Sequence, residues 1–379
     1  MTDIVLAGYG LAETRAPHHR DPLDIMAEAA ILAMRDAGVA AREVDGVFTA
    51  TAQASLPSLA LAEHLGITPR YLDSTAHGGS SNLSHIAHAA AAIRSGAIDV
   101  ALVVYGSTQR TALKDTGTRP AVAHVPPFEA GAGALFPIAS YALMAARHMH
   151  EYGTTREQLS SVAVAAREWA ALNPAAQLRD RITVDDVVAS ALISTPFHKL
   201  DCCLITDGGG AIVVMSAERA AARGLRGVRV RGLAEASEHL TVSAMPDLVS
   251  CGAVLSGRAA FEQAGIGPED IDVVQIYDAF SINPLMILED LGFCAKGEGG
   301  PFIEAGHTRP GGKLPLNTSG GGLAFTHPGM FGIYTVIEAM TQLRGEAGDR
   351  QVSARTAVAH GIGGTMSTHA TLVLEAPAG

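Results

Sequence analysis

Two stretches of this chain, Ala37-Gly38-Val39-Ala40-Ala41-Arg42-Glu43-Val44-Asp45-Gly46-Val47 and Ala264-Gly265-Ile266-Gly267-Pro268-Glu269-Asp270-Ile271-Asp272-Val273-Val274, read as one unit used twice. Each closes a helix on a glycine, passes through an acidic approach and enters an apolar strand. A second pair follows in the same order, since His85 to Gly96 and Tyr334 to Gly345 are apolar helices ended by glycine. Two matches in one order predict two similar halves, 1–110 with 201–219 and 220–379. Between them lies an inserted loop region, 111–200, that includes His124-Val125-Pro126-Pro127-Phe128.

Outward from the repeat, short Val/Ile/Leu runs alternate with Ala-rich amphipathic stretches. Ile4–Ala7, Gly46–Thr49, Val100–Tyr105, Ala211–Ser216, Val273–Ile276, Ala357–Ala359 and Thr371–Leu374 read as strands. Ile25–Ala37, Leu83–Arg94, Thr155–Leu172, Gly257–Ala264 and Phe331–Leu343 read as helices. Apolar strands separated by helices predict an α/β protein with a parallel or mixed sheet covered on both faces.

Composition narrows the function classes. The 379 residues are 48% hydrophobic and 17% charged, which suits a large core and opposes disorder. A net charge of -11 without a Lys/Arg-rich run argues against nucleic acid or an anionic membrane surface as partner. Cys202, Cys203, Cys251 and Cys294 lack C-x-x-C spacing and fit a reducing cytoplasm. The start, Met1-Thr2-Asp3-Ile4-Val5-Leu6, has no basic n-region and reads as a first strand. The longest uncharged run, Ala130 to Ala146, is interrupted by Gly131, Gly133 and Pro137. It also falls short of the ~20 residues a spanning helix needs. The chain reads as soluble.

The stretch from Asn317 through Gly320-Gly321-Gly322 to His327-Pro328 carries the clearest chemical signal. Its glycines allow close backbone approach to a ligand. The following helix start favours developing negative charge, and His327 stands where it would stabilise or move that charge.

The duplicated half, the insertion and the N-x-x-G-G…H-P segment together resemble the thiolase superfamily, over almost the whole chain. Tyr152-Gly153 with Arg156-Glu157-Gln158-Leu159, Asn173-Pro174, Asp201-Cys202 and Asp207-Gly208-Gly209-Gly210-Ala211 are similar to its lipid-transfer branch, related to the sterol-carrier thiolases. The resemblance implies a duplicated thiolase fold, five-layered α-β-α-β-α. It also implies four catalytic elements: a nucleophilic Cys, an Asn or His at a strand end, the His of the G-H-P segment, and a late Cys. His327 matches the third. Gly79, in His77-Gly78-Gly79-Ser80-Ser81, stands in the nucleophile's place; Tyr277, before Asp278-Ala279-Phe280, in the Asn/His place; and Gly361, after His360, in the late Cys place.

A glycine forms no acyl-enzyme, so thiolysis through a cysteine is not expected. The groups left suit enolate chemistry, and the resemblance then points to the aldolases that shorten steroid side chains. The expected reaction is retro-aldol cleavage of a β-hydroxyacyl-CoA to a carbonyl compound and a shorter acyl-CoA. Tyr277 is the candidate base or proton relay, with Asp278 as the alternative base. His327 and the backbone of Gly363 and Gly364 are candidates for the thioester oxygen, with His360 as a further donor. Ser80 and Ser81 border the pocket and would cap the helix that follows. Those aldolases carry a second tyrosine where this chain has His327, so the resemblance does not bring a steroid substrate with it. An acyltransferase with a serine or partner-supplied nucleophile, and a non-catalytic subunit binding acyl-CoA or a sterol, remain as alternatives.

Coenzyme A enters as part of the substrate, and no permanently bound cofactor is expected. His85 and His88 lack a third ligand, so no metal is expected either. Asp207-Gly208-Gly209-Gly210 lacks the Lys-Ser/Thr of a P-loop. The resemblance also implies a homodimer and, because no basic CoA-phosphate cluster is evident, a small zinc-ribbon/OB-fold partner in an α2β2 assembly.

Overall fold

The computed structural model describes residues 2–13, 20–116, 129, 131–133 and 136–377; His124–Phe128 lies outside them. The first half runs β1 (Ile4–Leu11), α1 (Pro22–Asp36), β2 (Gly46–Thr49), α2 (Pro57–Leu65), β3 (Tyr71–Asp73), α3 (Ser81–Arg94) and β4 (Val100–Ser107). Next come α4 (Gln109–Thr116), α5 (Ile138–Tyr152), α6 (Arg156–Ala171), α7 (Val184–Ala189) and the hairpin β5 (Leu192–Ser194) with β6 (Phe197–His198). β7 (Gly208–Ser216) then rejoins the first-half strands ahead of α8 (Ala217–Ala222). The second half holds β8 (Val228–Ser237), α9 (Ala253–Ala264), β9 (Val273–Ile276), α10 (Ile282–Asp290), α11 (Gly299–Glu304) and α12 (Gly321–Ala324). It ends with α13 (Gly332–Leu343), β10 (Thr356–Gly363) and β11 (Thr368–Glu375). The insertion is largely helical in its described part, and the helix expected at Thr155–Leu172 is its α6.

The strand order is β3-β2-β4-β7-β1-β8-β11-β10-β9. Only Val5 opposite Arg229 and Leu6 opposite Val228 join the halves at β1 and β8. Outward from that joint the pairings repeat. β1 with β7 and β7 with β4 are antiparallel, then β4 with β2 and β2 with β3 are parallel. In the second half β8 with β11 and β11 with β10 are antiparallel, and β10 with β9 is parallel. The fifth place holds a single parallel bridge, Val274 to Leu316.

The repeated sequence unit explains this symmetry. Gly38 and Gly265 end their helices at φ +57° and +70°, a left-handed conformation that costs glycine little. Asp45 then accepts the N–H of Val100 at the start of β4, and Asp272 accepts that of Thr356 at the start of β10. One carboxylate in each half thus sets two parallel strands side by side.

The layers follow from which faces are apolar. α1 and α2 bury Ile25, Met26, Ala29, Ala33 and Leu61 against one face of the first half. α3 and α13 lie between the halves, and α9 covers the outer face of β8 and β11. The outer helices sit very close to the strands. A Cβ at Gly10 of β1 would lie 2.3 Å from the Ala29 oxygen, and one at Gly232 of β8 would lie 1.9 Å from the Ala260 oxygen. Burying these apolar faces supplies most of the stabilisation, at roughly 25 cal/mol per Å². Among the described residues no helix is long and apolar enough to cross a membrane.

Candidate active site

The ends of β9 and β10, the start of α3 and the glycine-rich turn before α13 meet between the two halves. Gln275 on β9 reaches Thr318, whose hydroxyl bonds Glu338 on α13. Tyr277, two residues further, shares that face because strand side chains alternate. Its backbone N–H continues the ladder to the His360 oxygen at 3.0 Å.

The Tyr277 hydroxyl lies 3.0 Å from His327 Nε2 and 3.2 Å from the Gly329 carbonyl, to which it donates. Its ring is edge-on to His327 at 5.4 Å and to Phe331 at 5.8 Å. Burial pushes the phenol well above its ordinary value, so the resting group is neutral. A phenol held this high is a poor base by itself at neutral pH. Proton transfer through Tyr277 must instead be concerted with transfer to or from a partner.

Gly79 leaves no room for a side chain beside the phenol. A Cβ at this position would lie 2.0 Å from Tyr277 Cε2 and 2.7 Å from the Ile362 oxygen. The phenol ring occupies the space a side chain at residue 79 would use. Gly78 in turn packs on the next hairpin, where a Cβ would lie 2.7 Å from Gly363 Cα and 2.8 Å from the Gly364 nitrogen. The backbone of Gly79 therefore borders the Tyr277 ring, and Gly78 beside it packs on Gly363 and Gly364.

The two serines are placed differently from expectation. Neither caps α3: Ser80 makes no side-chain capping bond, and Ser81 Oγ accepts the His77 N–H at 2.9 Å. Ser80 Oγ lies 2.7 Å from Thr368 Oγ1 and 2.9 Å from His77 Nδ1. Thr368 donates its only proton to the His77 carbonyl, so Ser80 must donate to Thr368 and His77 Nδ1–H to Ser80. The Ser80 proton faces no base, which removes it as an activated nucleophile.

Asp278 turns to the glycine-rich segment. Its carboxyl accepts the Gly322 N–H at 2.6 Å and the Leu323 N–H at 3.3 Å. Burial raises it to about 7 against the pull of those donors. It anchors the turn that presents His327, and its acceptor sites are already engaged by backbone. Asn317, at φ +50°, ties the same turn to β9 by accepting the Ile276 N–H at 2.7 Å. His360 is not brought to the phenol. Gly361 faces α3, so His360 points to the outer layer, where it meets Thr371 at 2.9 Å and His369 at 3.2 Å. Burial holds it well below the usual histidine range, as a neutral core residue.

Some residues that build the site carried no sequence signal. Cys203 and Leu204 donate backbone N–H groups to Ala279 and Gly322, and Thr206 donates to His327. These residues therefore form a strap across both reacting elements. Tyr105 on β4 donates its hydroxyl to the Pro328 carbonyl at 2.5 Å and accepts the Met330 N–H at 3.1 Å, fixing the turn after His327. Phe331 stacks between His327 and Tyr334, 6.2 Å and 5.3 Å away. Tyr334 thus stands behind Phe331, away from Tyr277. Among the described residues no group of three His, Cys, Asp or Glu could hold a metal ion.

Two similar α/β halves around paired central helices, with a histidine beyond a glycine-rich turn, define a thiolase-type protein in which the Tyr277 ring takes the side-chain space of residue 79. Residues 234–376 match the family described as thiolase C-terminal domain-like. The chain is 39% identical to an acetyl-CoA acetyltransferase of Methanothermobacter thermautotrophicus, over 93% of this chain and 94% of that one. It is 36% identical to a steroid side-chain-cleaving aldolase of Thermomonospora curvata, over 90% of each. Among solved structures it matches the Ltp2-ChsH2(DUF35) aldolase at a TM-score of 0.87 and 31% identity, over 99% of this chain and 98% of that one. The chain belongs to the thiolase superfamily.

Proposed function

We propose that this protein is an acyl-CoA aldolase, a carbon–carbon lyase that cleaves a β-hydroxyacyl-CoA into a carbonyl compound and a shorter acyl-CoA. The observation that carries this reading is the Tyr277 ring lying in the side-chain space of residue 79, its hydroxyl 3.0 Å from His327 Nε2. A side chain at residue 79 has no room to carry an acyl group, and a phenol and an imidazole stand within proton-transfer distance of each other.

In the reaction His327 takes the tautomer with Nε2 unprotonated, the Tyr277 hydroxyl turns from the Gly329 carbonyl to hand its proton to that nitrogen, and the phenol oxygen takes the β-hydroxyl proton. The Cα–Cβ bond breaks, the carbonyl product leaves, and its electron pair becomes the thioester enolate. The protonated His327 and backbone N–H groups at Gly363 and Gly364 stabilise that oxyanion, each donor contributing about 3 kcal/mol in well-formed holes. Return of the proton to Cα completes the cycle without any co-reactant.

Incubation with a β-hydroxyacyl-CoA, with and without free CoA, tests the reading. Free carbonyl and shorter acyl-CoA are expected without added CoA. A strict demand for free CoA would instead establish the acyltransferase reading, which the 39% identity to an acetyltransferase favours. Binding of the thioester without turnover, with or without a partner, would establish a non-catalytic acyl-CoA or sterol-binding subunit.

The assembly we propose is a homodimer with a small zinc-ribbon/OB-fold partner of the DUF35 kind, as α2β2 in the cytoplasm. The support for the dimer is the edge strand β3, where Tyr71 is 37% and Leu72 42% exposed beside Leu56 and Leu59. An unpaired apolar edge invites strand pairing. Leu72→Lys is expected to turn the dimer into a monomer in light scattering; a persistent dimer would remove β3 from the interface.

A further inference from the structure

We propose that Thr206 is a positioning residue that sets the His327 ring against the Tyr277 hydroxyl, an inference that rests on the aldolase reading. Thr206 grips His327 from both sides of its backbone. Its Oγ1 accepts the His327 N–H at 2.9 Å, and its own N–H donates to the His327 carbonyl at 3.2 Å. The same hydroxyl lies 2.7 Å from Thr326 Oγ1, and both threonines are buried, at 4% and 0% exposure. Residue 206 is 121 positions away in sequence, so this grip is tertiary.

The neighbours of Thr206 make the grip consequential. Cys203 N–H holds the Ala279 carbonyl, two residues beyond Tyr277, and Leu204 N–H holds the Gly322 carbonyl of the glycine-rich turn. One strap therefore references the phenol and the imidazole to each other. A hydroxyl-specific loss at residue 206 frees the His327 N–H within a buried site, and the ring shifts relative to a partner only 3.0 Å away. Small misplacements of a catalytic group reduce rate steeply while binding is little changed.

The test compares Thr206→Val, which keeps the shape and removes the acceptor, with Thr206→Ser, which keeps the acceptor. The measurements are kcat, KM and the pH dependence of kcat on a β-hydroxyacyl-CoA. Thr206→Val is expected to lower kcat about tenfold or more, leave KM within about twofold, and move the pH of half-maximal kcat; Thr206→Ser is expected to restore all three. Wild-type kcat retained in Thr206→Val, or equal losses in both variants, would overturn the proposal. Where Thr206→Val does not fold, Thr206→Ala takes its place under the same comparison. Wild-type protein that releases no carbonyl product from the β-hydroxyacyl-CoA defeats the aldolase reading itself, which separates that failure from this one.

Discussion

Tyr277→Phe should abolish carbonyl release almost completely while leaving the fold intact. The ring that fills the space over Gly79 is kept, and the edge-on packing against His327 and Phe331 with it. Only the hydroxyl is lost, together with its bonds to His327 and Gly329. A positioned acid–base group contributes roughly 10²- to 10⁴-fold to rate, and the fall in kcat should lie in that range with KM little changed. Full activity in this variant would remove Tyr277 from the relay. Tyr334→Phe is the matched control. The Tyr334 hydroxyl is buried without a partner and stands behind Phe331. A buried unsatisfied hydroxyl costs about 1–3 kcal/mol, so removing it should leave kcat unchanged and hold or raise Tm. A deep loss of activity in Tyr334→Phe would mean that the second tyrosine reaches the substrate after all.

Gly79→Ala should be as damaging to activity and far more damaging to stability. The new methyl would lie 2.0 Å from the Tyr277 ring and 2.7 Å from the Ile362 oxygen, and a β10 carbonyl cannot move away cheaply. Overpacking of this kind costs about 1–3 kcal/mol and sometimes more, read here as a lower Tm by calorimetry. Combining it with Tyr277→Ala should return part of the lost stability, because the ring is the nearer of the two obstacles. If the two substitutions lower Tm additively, the ring and residue 79 do not compete for one space. The same geometry predicts that Gly79→Cys alone creates no thiolase, since the thiol would need the volume the phenol holds.

The parts of this molecule that could be read from sequence are those with local causes. Helix-closing glycines and the acidic approaches at Asp45 and Asp272 act within a few residues, and they led to the duplication. Tyr277, His327 and Gly79 were found as departures from a family pattern at known spacings. β8 was missed because Arg229, Arg231 and Gly232 interrupt its apolar run, and the strand is half exposed along its length. β3 is only three residues long. α5 was missed because the uncharged run Ala130 to Ala146 straddles its start at Ile138, and α10 because it is short and has Pro284 in its first turn. His360 was misassigned for a different reason: adjacency to Gly361 in sequence says nothing about which face of β10 a side chain takes. Thr206 lay beyond reach because its partner is 121 residues away. Ser80 and Ser81 stood where caps usually stand, but His77 and Thr368 compete for their hydroxyls.

The unequal ends of the sheet have a consequence for how copies of this chain add up. β3 offers a short backbone edge, whereas beyond β9 the chain supplies its own cover through the single bridge from Val274 to Leu316. Two equivalent open ends would let each molecule recruit another at either side, and growth would have no natural stop. With one end sealed from within, strand pairing can join two copies about a two-fold axis and then has no edge left to extend. In the dimer proposed above, the shortening of one duplicated strand would act as a terminator of polymerisation, written into the half of the molecule that also holds Tyr277.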